Sequence, residues 1–174
     1  MGREECFIGI EGLTNAPCNG KNCEDVTFSR WGWTNQFNDT SPATYPTTLN
    51  LYAGAAQCDW EEKGELVGTV TISYDDGTLI VTYNLCGNFD LEEVHIHVGD
   101  DGVASKLPKD KKDVYTVAPG QFSCGNHNDD GTCEYTFVGN IFEATFTDVD
   151  EAFYVIAHAV VAGSDSDWSN GCSP

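Results

Sequence analysis

Four histidines occur in the 174 residues, and two of them stand two positions apart. His95 and His97 lie in Glu93-Val94-His95-Ile96-His97-Val98, where polar and apolar types alternate. Successive side chains of a strand point to opposite faces. If Val94, Ile96 and Val98 enter a core, both imidazoles occupy the other face, about 7 Å apart, and can reach one ion between them. His127 falls in a polar loop over 125–131, and His158 in the apolar run 153–163. Imidazole donors suit copper, zinc or iron rather than calcium. The candidate metal ligands are therefore His95, His97, His127 and His158, with copper or zinc as the ion. A plainer account competes with this one. It makes His95 and His97 an outward polar face, His127 a solvated loop residue and His158 a hydrogen-bonded core histidine.

Three acidic loops form a second candidate: Gly99-Asp100-Asp101-Gly102, Asn128-Asp129-Asp130-Gly131 and Asp148-Val149-Asp150-Glu151. Clustered carboxylates and carbonyls can hold calcium. The EF-hand spacing is missing, and turn formation explains Asp-Gly pairs equally well. Trp31, Trp33, Trp60 and Trp168 fall in loop-like segments. Exposed there, they would offer glycans or proteins an aromatic platform; packed, they would cover the ends of a sandwich. No Ser-His-Asp order, phosphate loop or strand-borne pair of catalytic carboxylates stands out, so no catalytic residue is assigned.

The elements that must position these residues are strands. Val70, Ile72 and Tyr74 alternate with Thr69, Thr71 and Ser73, and Leu79, Val81, Tyr83 and Leu85 with Ile80, Thr82 and Asn84. Between them Asp75-Asp76-Gly77-Thr78 offers positive φ, the sign of a hairpin. Further strands are expected at 48–53, 94–98, 114–118, 134–138, 141–147 and 153–161. Short strands at that spacing, with Gly, Asn and Asp between them, predict an all-β fold, an antiparallel sandwich or barrel. One domain over 1–174 is expected. It comprises a loop-rich N-terminal extension (1–40), a sandwich core (41–163) and a tail (164–174) tied back by a bridge.

Eight cysteines include no Cys-x-x-Cys knuckle, so disulfides account for them better than zinc. They place the chain outside the cytoplasm, secreted or at the cell surface. Of the 105 pairings that eight cysteines allow, Cys18–Cys23 and Cys124–Cys133 would close short polar loops. The sequon Asn38-Asp39-Thr40 is compatible with secretion. Met1-Gly2-Arg3-Glu4-Glu5 carries no signal-peptide pattern and reads as the start of a mature form. With 8 Lys+Arg against 28 Asp+Glu the formal charge is −20, which excludes electrostatic binding to nucleic acid or anionic membrane. The longest apolar run, 153–163, is too short to insert in a bilayer.

The segment 68–101, GTVTISYDDGTLIVTYNLCGNFDLEEVHIHVGDD, resembles the hairpin and H-x-H strand of copper/zinc superoxide dismutases, and also the chordin-type extracellular module. Ala152-Phe153-Tyr154-Val155-Ile156-Ala157-His158 is similar to the dismutase strand that delivers the last copper ligand. The resemblance implies a Greek-key sandwich or barrel and makes His95, His97, His127 and His158 the copper ligands in order. Too few histidines remain for the zinc subloop, so the nearest likeness is to copper-only members. No arginine follows Arg30 to guide superoxide, and the lysines Lys106, Lys109, Lys111 and Lys112 are the only nearby cations in sequence. Arg30-Trp31-Gly32-Trp33-Thr34-Asn35 and the segments 51–58 and 115–121 lie outside that likeness and are similar to uncharacterised secreted modules of marine microbes.

The expectation is a non-catalytic extracellular or cell-surface β-sandwich, disulfide-stapled and acidic, with a structural, adhesive or matrix role and a metal ion. Its partners would be other surface or matrix proteins, or glycans, and its edge strands permit self-association. The alternatives are a copper-dependent oxidoreductase and a carbohydrate-binding module.

Overall fold

The computed structural model describes residues 3–6, 32–38, 45–99, 104–106, 114–122, 124–126, 132–149, 152–164 and 172, with backbone alone at 3–6, 104–106 and 114–116. Twelve strands are assigned among them: β1 (Arg3–Cys6), β2 (Trp33–Phe37), β3 (Thr47–Ala53), β4 (Glu65–Asp75), β5 (Thr78–Leu85), β6 (Asp90–Gly99), β7 (Ala104–Lys106), β8 (Val114–Thr116), β9 (Cys124–Gly125), β10 (Glu134–Val138), β11 (Ile141–Phe146) and β12 (Phe153–Ala162). One short helix, α1 (Trp60–Lys63), sits between β3 and β4.

The strands form two antiparallel five-stranded sheets, β1-β2-β12-β6-β9 and β10-β11-β5-β4-β3, with β7 and β8 as a separate pair. The chain crosses between the two large sheets from β2 to β3, from β5 to β6, from β9 to β10 and from β11 to β12. This is the expected antiparallel sandwich, with open edges rather than barrel closure.

Alternation drives the packing. In β4 and β5 every second side chain is buried, among them Val70, Ile72, Leu79, Val81 and Tyr83. Facing them are Val94 and Ile96 of β6, and Phe153 and Val155 of β12. The β4–β5 turn takes positive φ at both central residues, Asp76 (44°) and Gly77 (80°). That backbone matches the twist of the strands it joins.

Val149 ties the β11–β12 connection to this turn, its N–H donating to Gly77 O at 3.0 Å while its own carbonyl accepts from the Tyr74 hydroxyl. That places part of the third acidic loop against the hairpin. Of the other two acidic loops only Gly99, the last residue of β6, falls among the described residues.

Disulfides hold the periphery. Cys124–Cys133 closes a nine-residue separation, as its spacing suggests, and Cys86–Cys172 ties the C-terminal tail to the end of β5. Cys172 N–H also donates to Leu66 O. Cys58 is disulfide-bonded as well. The Cys18–Cys23 pairing lies outside the described residues.

Two differences from the sequence reading concern its loops. Arg3–Cys6 and Trp33–Phe37, both assigned above to the loop-rich extension, are strands of the first sheet that pair with each other, and the second also pairs with β12. The buried residues of the second are Thr34 and Phe37, a pattern without the alternation that marks the other strands. Trp60 opens α1, whose first turn is capped by the Asp59 carboxylate accepting from Glu62 N–H.

Candidate functional site

The strands β6 and β12 are antiparallel neighbours over nearly their whole length. Their core sides carry Val94, Ile96, Val155 and Ala157. Their other sides carry Glu93, His95 and His97 against Val160, His158 and Ile156, in that register. His95 and His158 are directly opposed, with ring centroids 5.7 Å apart. Opposed residues in an antiparallel pair have Cβ atoms about 4.5–5.5 Å apart, closer than two same-face residues along one strand. The cross-strand partner therefore meets His95 more closely than His97 does.

His97 turns along its own strand. Its ring packs 6.1 Å from that of Phe122, and a Cβ placed on Gly99 would lie 3.2 Å from His97 Nε2. Glycine at 99 gives this ring its room. His127 lies outside the described residues, as do Trp31, Trp168, Lys109, Lys111 and Lys112. Lys106 is seen only as backbone in β7.

The histidine face is not bare. Phe122 and Ile156 are buried on this side of the sheet, and His95 is only 5 % exposed. Glu93, two residues before His95 and on the same face, places Oε2 3.3 Å from His95 Nε2. In the neutral ring, a carboxylate accepting from Nε2–H places the proton on that nitrogen and leaves Nδ1 with its lone pair. Nδ1 is buried with no hydrogen-bond partner among the described residues. A ring nitrogen left so costs about 1–3 kcal/mol, and coordination of an ion removes that cost. His95 and His158 thus present two imidazoles side by side, with a carboxylate that orients one of them. Among the described residues no three His, Cys, Asp or Glu side chains converge on one point.

Alternation of faces along β6 makes Glu93 legible once His95 is singled out. Asn126 carries no such signal. Its side chain bridges to β6, accepting from Val94 N–H at 2.8 Å and donating to Glu92 O at 2.9 Å. Beside it β9 pairs Gly125 with His95, so closely that a Cβ on Gly125 would stand 2.0 Å from Val94 O. The Cys124–Cys133 bridge starts from the same strand. Glycine and amide together pin Gly125 and Asn126 to the backbone of the histidine strand.

A cleft of about 940 Å³ adjoins this face. It exists because β2 pairs with β12 only over Phe153–Val155, while β6 follows β12 to Ala162. Leu49, Leu51 and Val70 line it from one sheet, and Ala157, Ala159 and Val161 from the other. His158 belongs to its wall, and its carbonyl accepts from Tyr83 OH, which reaches across from the facing sheet. Trp33, Tyr52 and Trp60 also line it. Trp60 is 44 % exposed and its ring lies 5.3 Å from that of Tyr52, whose hydroxyl accepts from Asn50 Nδ2.

Among the described residues no helix is long and apolar enough to cross a membrane. No protein-family model, no curated protein and no solved structure matches this chain.

Proposed function

We propose that this chain is a non-catalytic extracellular β-sandwich module with a structural, adhesive or matrix role, in which a copper or zinc ion fastens β6 to β12. One observation carries the reading. The buried Nδ1 of His95, left with its lone pair by the Glu93 carboxylate, stands beside the cross-strand ring of His158. The ring nitrogens of His95 and His158 would hold the ion, which would supply a cross-link between two strands already paired by their backbones. Burial of His95, only 5 % exposed, favours such a staple over a site that must admit substrate. The disulfides support an oxidising, extracellular setting for the module.

The test is metal analysis of the purified protein, with thermal melting in copper, in zinc and in chelator. Stoichiometric metal and a raised Tm, both lost in His95→Ala and in His158→Ala, are expected. Superposable melts under all three conditions would refute the metal. Superoxide turnover by the copper-loaded protein, abolished by the same substitutions, would make the site a redox centre and overturn the non-catalytic reading.

A second ligand is favoured by the rim of the cleft. Trp33, Tyr52 and Trp60 meet there beside the Asn50 amide, a combination that stacks on the C–H face of a sugar and hydrogen-bonds its hydroxyls. A neutral glycan suits a chain of this charge. Glycan-array binding abolished in Trp60→Ala would establish it, and an empty array would remove it.

A further inference from the structure

The four edges of the two large sheets differ in how they are guarded. β9 is two residues long, and β3 is interrupted by a register shift between Leu51 and Tyr52. Short strands and bulges are the usual ways of closing an edge to other chains. β1 is described by its backbone alone. β10 has neither protection. It is a regular five-residue strand at the end of its sheet, joined by a two-residue turn at Gly139-Asn140 to β11 and, among the described residues, paired on that side only. Glu134 is its one charged residue, and it contains no Lys and no Pro.

It is also apolar where it meets water. Val138 is 77 % exposed and Ile141, its partner across the turn, 50 %. Tyr135, 37 % exposed, stacks on the buried Phe142 at 5.1 Å, and Phe137 is half-buried against the same ring. The aromatic row of the core thus continues to the very edge of the sheet and stops there.

We infer that β10 is the edge at which a second copy of this chain adds, antiparallel, about a two-fold axis at Thr136. The sequence Glu134-Tyr135-Thr136-Phe137-Val138 is self-complementary in that register. Each Tyr135 falls opposite the partner's Phe137, so two aromatic cross-strand pairs form on the core-facing side. On the other side Thr136 meets the partner's Thr136, and Glu134 meets the partner's Val138, so the only charge on the strand never opposes itself. A two-fold interface requires this kind of matching of one patch with itself. An unrelated strand would have to supply it by coincidence.

Five residues bury much less than the about 1,600 Å² of a standard interface, so the dimer is weak and reversible. Its other opponent is the charge of −20 on each copy. Salt shortens the reach of that repulsion from about 10 Å at 0.1 M to about 3 Å at 1 M. Salt therefore strengthens this association, the opposite of its effect on one held by ion pairs.

Sedimentation velocity of the full chain over a concentration series, at low and high salt, reads the proposal. A reversible doubling of mass that grows with concentration and with salt is expected. Thr136→Lys and Thr136→Glu each place like charges opposite one another at the axis. Each should weaken the dimer about fivefold, the upper end of the cost of such a pair across a ladder. Thr136 is exposed and opposite Glu143 of β11, so the thermal melt should hold in Thr136→Lys and fall slightly in Thr136→Glu. Mixing the two variants should restore a heterodimer, which misfolded variants could not do. A monomer at every concentration overturns the proposal, as does a dimer indifferent to both substitutions or a mixture that stays monomeric.

Discussion

Gly125→Ala is the most direct probe of how the histidine strand is held. A Cβ at that position would stand 2.0 Å from Val94 O, 3.0 Å from Val94 C and 3.2 Å from His95 Cα. None of these atoms is the end of a flexible side chain, so β9 has to move away from β6. The shift threatens the pairing of Gly125 with His95 and of Cys124 with Ile96, and with it the two hydrogen bonds of the Asn126 side chain. Each hydrogen bond is worth about 1 kcal/mol net, and overpacking of a tight site costs about 1–3 kcal/mol. Partial relaxation along the loop recovers some of this, leaving a loss of about 2–4 kcal/mol. For a chain of this length that lowers Tm by about 5–15 °C. Urea denaturation with and without the substitution measures it, and hydrogen exchange at 94–96 should rise in parallel. Gly87→Ala is the control, since a Cβ there meets nothing within 4 Å and should change stability by less than about 0.5 kcal/mol. If Gly125→Ala is as silent as Gly87→Ala, β9 does not brace β6, and the account of the pinned loop fails.

Two other perturbations test the core. Phe142→Ala removes a fully buried ring that touches Tyr83, Tyr135 and Phe137. It should cost about 3–5 kcal/mol in a urea titration followed by tryptophan fluorescence; a loss under 1 kcal/mol would mean that the two layers do not pack through this ring. Burial holds the Tyr83 hydroxyl well above its ordinary pKa of 10.0. The unfolded chain therefore releases that proton near pH 10 while the folded chain keeps it. Stability from this group is complete below about pH 10 and is lost as pH rises beyond it, by at most about 1.4 kcal/mol per pH unit. The difference between the wild type and Tyr83→Phe in denaturant midpoints over that range should shrink with rising pH, and a constant difference would refute it.

Much of the fold is legible because a strand's side chains alternate and the core accepts one face only. Val70-Thr71-Ile72 and Leu79-Ile80-Val81, either side of Asp76-Gly77, announce the central hairpin. Glu134–Val138 is bounded in the structure as its residues suggest. Trp33–Phe37 escapes because it buries Thr34 and Phe37 in no strict alternation. β9 escapes because two residues hold no pattern at all. Trp60 reads as a loop residue because a four-residue helix has no periodicity to show.

The candidate site divides along the same line. Alternation within β6 determines that His95 and His97 share a face and that Val94 and Ile96 do not, because parity along an extended chain is a local property. Which imidazole meets His95 is decided elsewhere. It depends on the register of β6 against β12, strands separated by the whole of β7 to β11, and on a glycine that lets His97 turn toward Phe122. The open cleft likewise follows from β2 ending its pairing at Val155. Local geometry is written in the spacing of residue types. The matching of distant strands belongs to packing energy shared among all of them, and only the folded chain sets it.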